Sequence, residues 1–134
     1  ATWETVWDKA QPDANGISWV VETGDGGFLA VGGGTLLKTD ASGSKQWSQA
    51  LSGSFIVPTS DGNYLVTGSK DDKAYAAKVT GDAAAPSILW ERTYPNGTDL
   101  ERAVEAPDQG FYMIGPLLSG GLYFIKTDEN GYVY

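Results

Sequence analysis

The 134-residue chain is predicted to be all-β, built from three similar four-stranded units, and three observations carry that prediction. A Trp opens each unit, at Trp3, Trp47 and Trp90, giving repeat units of approximately 3–46, 47–89 and 90–134 inside a single domain spanning 1–134. An Asp-containing turn then leads into an apolar and aromatic run, as Asp25-Gly26-Gly27-Phe28-Leu29-Ala30-Val31-Gly32, Asp61-Gly62-Asn63-Tyr64-Leu65-Val66-Thr67-Gly68 and Asp108-Gln109-Gly110-Phe111-Tyr112-Met113-Ile114-Gly115. A third landmark is a short run around a central Lys, as Leu36-Leu37-Lys38-Thr39-Asp40, Ala76-Ala77-Lys78-Val79-Thr80 and Phe124-Ile125-Lys126-Thr127-Asp128.

Runs of four to eight β-branched, aromatic and apolar residues bounded by Gly, Asp, Asn and Ser read as strands. In the first unit they are Ile17 to Thr23, Gly27 to Gly33, Thr35 to Thr39 and Lys45 to Leu51, with Asp25-Gly26 and Asp40-Ala41-Ser42-Gly43 as hairpin turns. The second unit uses Phe55 to Thr59, Asn63 to Ser69, Ala74 to Thr80 and Ile88 to Tyr94, with Asp71-Asp72 at a turn. Leu100 to Ala106, Gly110 to Gly115 and Leu122 to Thr127 follow in the third. Local propensity favours a helix over residues 99–106, but Val104 stands four residues before its turn Asp just as Val21 and Val57 do, so the repeat predicts a strand. The other helical stretch, Asp82 to Ala85, is stopped by Pro86 and is too short to nucleate.

The third unit stops at Tyr132-Val133-Tyr134, where its Trp-led fourth strand should begin. A strand of that kind stands at the other end of the chain, as Thr2-Trp3-Glu4-Thr5-Val6-Trp7, so the repeat is cyclically shifted.

At these residues the chain resembles the extracellular β-propeller repeats of archaeal and bacterial surface proteins, whose units read as Trp, a variable loop, Thr-x-Asp-Gly-Gly-aromatic and Lys-Thr-Asp-x-x-Gly. The resemblance covers essentially the whole chain and is strongest at residues 23–33, 59–68, 37–47 and 125–131; it weakens where Val79-Thr80-Gly81-Asp82 replaces Lys-Thr-Asp. It implies propeller-like blades of four strands and shifted termini that let the first strand complete the last blade. Three blades are too few for a ring, since propellers have four to eight. Self-association is therefore expected, as a closed dimer, as a head-to-tail filament or within a longer propeller, with Trp3, Glu4, Thr5, Val6 and Trp7 as the donated strand. The receiving edge is expected at Leu122, Tyr123, Phe124 and Ile125 with Tyr132, Val133 and Tyr134. The structural alternative is a β-trefoil or β-prism, whose pseudo-threefold symmetry also needs three repeats of this length.

Composition narrows function. A formal charge of −8 with nine scattered Lys and Arg argues against nucleic acid and against anionic membranes. With no Cys and no His there is no thiolate, no imidazole base and no soft metal ligand, so the usual zinc sites and Ser-His or Cys-His pairs are excluded. No apolar run approaches the length of a membrane span, so no membrane insertion is expected. A sequence beginning at Ala1 suggests a processed form, and with the resemblance it leads to an expectation of a secreted or cell-surface location.

Several local features admit a site reading beside a structural one. Asp40-Ala41-Ser42-Gly43-Ser44 and Asp128-Glu129-Asn130-Gly131 present oxygens of the kind Ca²⁺ takes, but they lack the EF-hand pattern, and hairpin turns need no ion; no cofactor is expected. Trp7, Trp19 and Tyr94 are candidates for stacking on sugars, which makes a carbohydrate-binding or adhesion module the alternative function, although aromatics at strand positions usually pack. Asn96-Gly97-Thr98 is a glycosylation sequon in a polar loop. The carboxylate pairs Glu101 with Glu105 and Asp71 with Asp72 have no apolar surroundings to raise one pKa, and Gly32-Gly33-Gly34 lacks P-loop spacing. The leading expectation is a non-enzymatic assembly protein.

Overall fold

The computed structural model describes residues 10–12, 16–81 and 84–134. The chain is all-β, and the described residues contain no helix. Eleven strands form: β1 (Ile17–Glu22), β2 (Phe28–Gly32), β3 (Thr35–Thr39), β4 (Lys45–Ala50), β5 (Phe55–Pro58), β6 (Tyr64–Lys70), β7 (Lys73–Val79), β8 (Ile88–Tyr94), β9 (Arg102–Glu105), β10 (Phe111–Pro116) and β11 (Leu122–Thr127). They build three antiparallel sheets in chain order, β1-β2-β3-β4, β5-β6-β7-β8 and β9-β10-β11. The tract 99–106, helix-like in local composition, carries β9 as the repeat predicts: cross-strand pairing of Val104 with Tyr112 and of Ala103 with Met113 overrides a propensity worth tenths of a kcal/mol per residue.

The hairpins follow their turn residues. Gly33 and Gly34, with φ of 57° and 82°, close the two-residue β2–β3 turn. Asp71 and Asp72 do the same for β6–β7 with φ of 53° and 59°, a conformation that Asp tolerates better than most side chains. Both pairs are the central residues of tight hairpin turns.

Side-chain alternation assigns each sheet two faces. Leu29, Val31 and Leu36 of the first sheet share one buried cluster with Ile56, Tyr64, Val66, Tyr75 and Ala77 of the second. Phe55, Leu65, Ala74 and Ala76, on the opposite face of the second sheet, share another with Ala103, Phe111, Met113 and Ile125 of the third. The core is therefore two apolar layers between three sheets. The first strands of the sheets lie side by side, β1 against β5 and β5 against β9.

Candidate functional site: the open edge and face of the third sheet

Each sheet is locked internally by the same ion pair. Asp25, in the β1–β2 turn, accepts from Thr23 Oγ1 at 2.5 Å and from the Gly27 N–H at 3.0 Å. The Lys38 ammonium, fully buried on β3, donates to both Asp25 oxygens at 2.9 and 3.2 Å, to Thr39 O at 2.7 Å and to Gln46 Oε1 at 2.8 Å. Lys78 reaches Asp61 in the second sheet, and Lys126 lies 2.8 Å from Asp108 in the third. The two motifs that recur in the sequence are thus two halves of one cluster, tying the Asp turn to the third strand.

These partners depress the carboxyls. For Asp25 the Thr23 hydroxyl, the Gly27 amide and Lys38 hold the group well below the usual carboxylate range. Desolvation pushes Asp61 upward, but Lys78, Thr59 and Asn63 more than reverse it. Lys126 and the Gly110 amide lower Asp108. A depressed carboxyl contributes stability that is present above its unfolded pKa, about 3.9, and is lost as pH falls toward its folded pKa. Urea midpoints are therefore expected to hold from about pH 7 to 5 and to fall steadily below about pH 4. The Asp25→Asn/Asp61→Asn double variant should start lower and lose less over that acid range.

The clusters also fix the structural equivalence of the sheets. Lys38, Lys78 and Lys126 pair across the ladder with Leu29, Leu65 and Tyr112, which pair in turn with Val21, Val57 and Val104. Two residues before each Lys stand Leu36, Ala76 and Phe124. Leu36 is 1% exposed and Ala76 0%, because the next sheet covers them, whereas Phe124 is 60% exposed. Val104, Tyr112 and Leu122 are exposed on the same face, and the Tyr112 and Phe124 rings lie 6.0 Å apart. The third sheet thus presents an apolar face of the kind the first two bury.

Its outer edge is equally distinctive. β4 and β8 place Trp47 opposite Lys38 and Trp90 opposite Lys78. Along β11 the described chain supplies only a start: Val133 bridges Thr127, as Lys45 pairs with Thr39, and the Tyr134 N–H donates to Lys126 O at 3.2 Å. Tyr134 takes the position of Gln46, with its ring 4.5 Å from Lys126 Nζ and its hydroxyl 3.3 Å from Asp108 Oδ2.

Of the expected receiving residues, Leu122, Phe124, Tyr132, Val133 and Tyr134 are exposed. Tyr123 and Ile125 point the other way; Ile125 belongs to the core and Tyr123 packs against it. The expected donor residues Trp3, Glu4, Thr5, Val6 and Trp7 lie outside the described residues, as does Trp7 in its sugar-stacking reading. Tyr94, a candidate for stacking on sugars, is a buried β8 residue whose hydroxyl donates to Gly131 O at 2.7 Å. Trp19, on β1, packs with Phe55 at 5.0 Å under the Arg102 guanidinium, 4.9 Å above the indole.

The remaining candidates have local partners. Asp40 Oδ1 accepts from the Ser42 and Ser44 amides, and Asp128 Oδ1 from those of Asn130 and Tyr132, so each carboxylate organises its own turn. No group of three acidic, His or Cys residues suited to a metal ion occurs among the described residues. Glu105 accepts from the Ser60 amide of the neighbouring sheet at 3.1 Å, and Asn96 is exposed. No helix among the described residues is long and apolar enough to cross a membrane.

Comparisons with protein-family models, with curated proteins and with solved structures found no match to this chain.

Proposed function

We propose that the chain is a non-enzymatic structural protein of the cell surface or extracellular space that associates with itself by strand complementation, forming a closed ring or a filament of propeller-like blades. The observation that carries this reading is the β11 edge, where a Trp-led fourth strand would complete the pattern of the other two sheets. Three separate meander sheets whose first strands lie together support blades over a trefoil, in which strands of different repeats share ladders. The extracellular location rests on the resemblance of the repeats.

The register of the donated strand follows from β8. Trp90-Glu91-Arg92-Thr93-Tyr94 and Trp3-Glu4-Thr5-Val6-Trp7 share a Trp-Glu pair and an aromatic four residues after the Trp. Trp90, Arg92 and Tyr94 stand opposite Lys78, Ala76 and Ala74, so Trp3, Thr5 and Trp7 belong opposite Lys126, Phe124 and Leu122. Hydrogen bonding the edge removes a row of unpaired backbone groups, which is the physical motive for donation. β8 supplies the precedent for what such a strand would grip next. Trp90 Nε1, Arg92 Nε and Tyr94 OH donate to the carbonyls of Glu129, Asn130 and Gly131 in the following sheet's turn. The matching turn of the first sheet ends at Gly43, and Gln11, which follows the donor segment, donates from Nε2 to Gly43 O at 2.7 Å. A donated strand would in this way stay seated on its own first sheet while pairing with another copy's third.

Deletion of residues 1–7 tests the reading. The truncated protein is expected to retain its β-sheet circular dichroism and to run as a monomer at concentrations where the intact chain associates. A truncated protein that associates as the intact chain does would rule out strand donation.

A further inference from the structure

The sequon Asn96-Gly97-Thr98 takes no part in the assembly proposed above. We infer that Asn96 carries an N-linked glycan whose first sugar seats in a groove beside it, between the turn leading out of β8 and the β10–β11 hairpin. The inference rests on the extracellular reading for the route on which a sugar donor is met, and it adds a covalent modification site to that reading.

Of the asparagines at 15, 63, 96 and 130, only Asn96 has a hydroxyl residue two places on with no Pro between. Residues 94–97 form a tight turn, closed by the Gly97 N–H donating to Tyr94 O at 3.2 Å, with Pro95 and Asn96 at its tip. Backbone hydrogen bonds hold the sequon from both sides. Gly97 O and Thr98 O accept from the Ala74 N–H and the Ser69 hydroxyl of the second sheet. Asn96 O accepts from the Leu118 N–H, and the Thr98 N–H donates to Pro116 O. The Asn96 side chain stays exposed, and among the described residues its amide has no hydrogen-bond partner. A sugar attached there displaces no internal contact.

The groove gives the sugar a seat. Leu117, Leu118, Ser119 and Tyr123 line it with Asn96, around an open volume of about 350 Å³. Gly97 brings the Tyr123 ring close to the sequon, since a Cβ there would lie 2.4 Å from Tyr123 Cδ2 and 3.1 Å from Ala74 Cβ. The Tyr123 ring and Leu118, 67% exposed, offer apolar surface to the C–H face of a pyranose, and Ser119 offers a hydroxyl to its edge. Successive side chains on β11 point to opposite sides, and Tyr123 packs on the core between the second and third sheets. The groove therefore lies on the side away from Phe124, and a glycan in it leaves the exposed face of the third sheet free.

The transfer joins Asn96 Nδ2 to C1 of the reducing-end sugar of a polyprenyl-diphosphate oligosaccharide. The C1–O bond to phosphate breaks, the lipid diphosphate leaves with the bonding pair, and one Nδ2 proton passes to a base of the transferase. A host oligosaccharyltransferase performs the step and requires the Thr98 hydroxyl of the sequon.

Secretion of the intact chain behind a cleavable signal, from a eukaryotic host that attaches high-mannose glycans, tests the inference. The expected product carries one glycan, seen as added mass that an endoglycosidase removes. The added mass should be absent from Asn96→Gln and Thr98→Ala and kept in Thr98→Ser. Folded, secreted protein without added mass, or a glycan that persists in Asn96→Gln, would overturn the assignment. Trimming with endoglycosidase H leaves only the first sugar and so isolates the groove. The trimmed protein should melt about 3 °C above Asn96→Gln, and Leu118→Ser should cut that gain by half or more. Equal melting of the trimmed protein and Asn96→Gln would overturn the seat in the groove. Light scattering separates this inference from the self-association reading: glycosylated protein and Asn96→Gln should associate alike. A glycosylated chain that is monomeric at all concentrations, with or without the sugar, would end strand donation and leave the modification site standing.

Discussion

Phe111→Ala is expected to cost about 3–5 kcal/mol of folding stability, the range for emptying a buried aromatic site. Phe111 is fully buried at the centre of the layer between the second and third sheets. Its ring lies 6.2 Å from that of Trp90, and the Lys78 ammonium sits 5.9 Å from its centroid. Truncation therefore removes apolar area and also one wall of the setting in which Lys78 meets Asp61. Close-packed surroundings let such a gap close only partly, so the cavity cost adds to the transfer cost. Against a total of about 5–15 kcal/mol for a domain, the loss is large, and thermal denaturation should shift by on the order of 10 °C or more. Phe111→Leu, which retains most of the volume, should recover more than half of it.

Gly115→Ala is expected to destabilise by about 3 kcal/mol, although it adds a single methyl group. A Cβ at Gly115 would overlap Asp99 O and lie 2.8 Å from the Asp99 carbonyl carbon and 3.1 Å from Leu100 Cα. All three are backbone atoms, so no side chain can swing away. Relief requires moving residues 99–101, where the Leu100 N–H donates to Gly68 O and the Glu101 N–H to Ile114 O, and where the Leu100 side chain is fully buried. Gly32 and Gly68 occupy the same place in the other sheets, and each meets the segment that leads into the first strand of its own sheet. Gly24→Ala is the contrasting control, since nothing lies within 4 Å of its added Cβ. Urea denaturation of the two variants should separate them clearly.

Much of the fold is legible in the residues. Strand positions emerge within a few residues of those observed because alternation and turn residues agree in every repeat, as with Asp25-Gly26 before Phe28 to Gly32. The tract 99–106 is legible only through the repeat, since its local composition favours helix. The Asp–Lys clusters are not legible, although both partners stand out as landmarks. Lys38 follows Asp25 by 13 residues, while Lys78 and Lys126 follow theirs by 17 and 18. Only the ladder register shows that hairpin length absorbs the difference. Turn conformation accounts for Gly33 and Gly34, whereas at Gly115 the cause is the close approach of two backbones, which composition does not reveal.

The candidate site divides in the same way. The strand Leu122–Thr127 could be read from the repeat, because counting strands needs no geometry. The face could not. Val104, Tyr112 and Phe124 look in the sequence like ordinary strand residues, and only the burial of Leu29, Leu36, Leu65 and Ala76 marks their exposure as unusual. Trp19 and Tyr94 are candidates for stacking on sugars by residue type, and only the structure shows what they pack on: Gly131 O holds Tyr94, and Phe55 and Arg102 hold Trp19.

Size-exclusion chromatography with light scattering on the intact chain, over a wide range of protein concentration, tests self-association most directly. A mass of twice the chain, or a series of species growing with concentration, is the predicted result. A single species of 14.2 kDa at every concentration would contradict it.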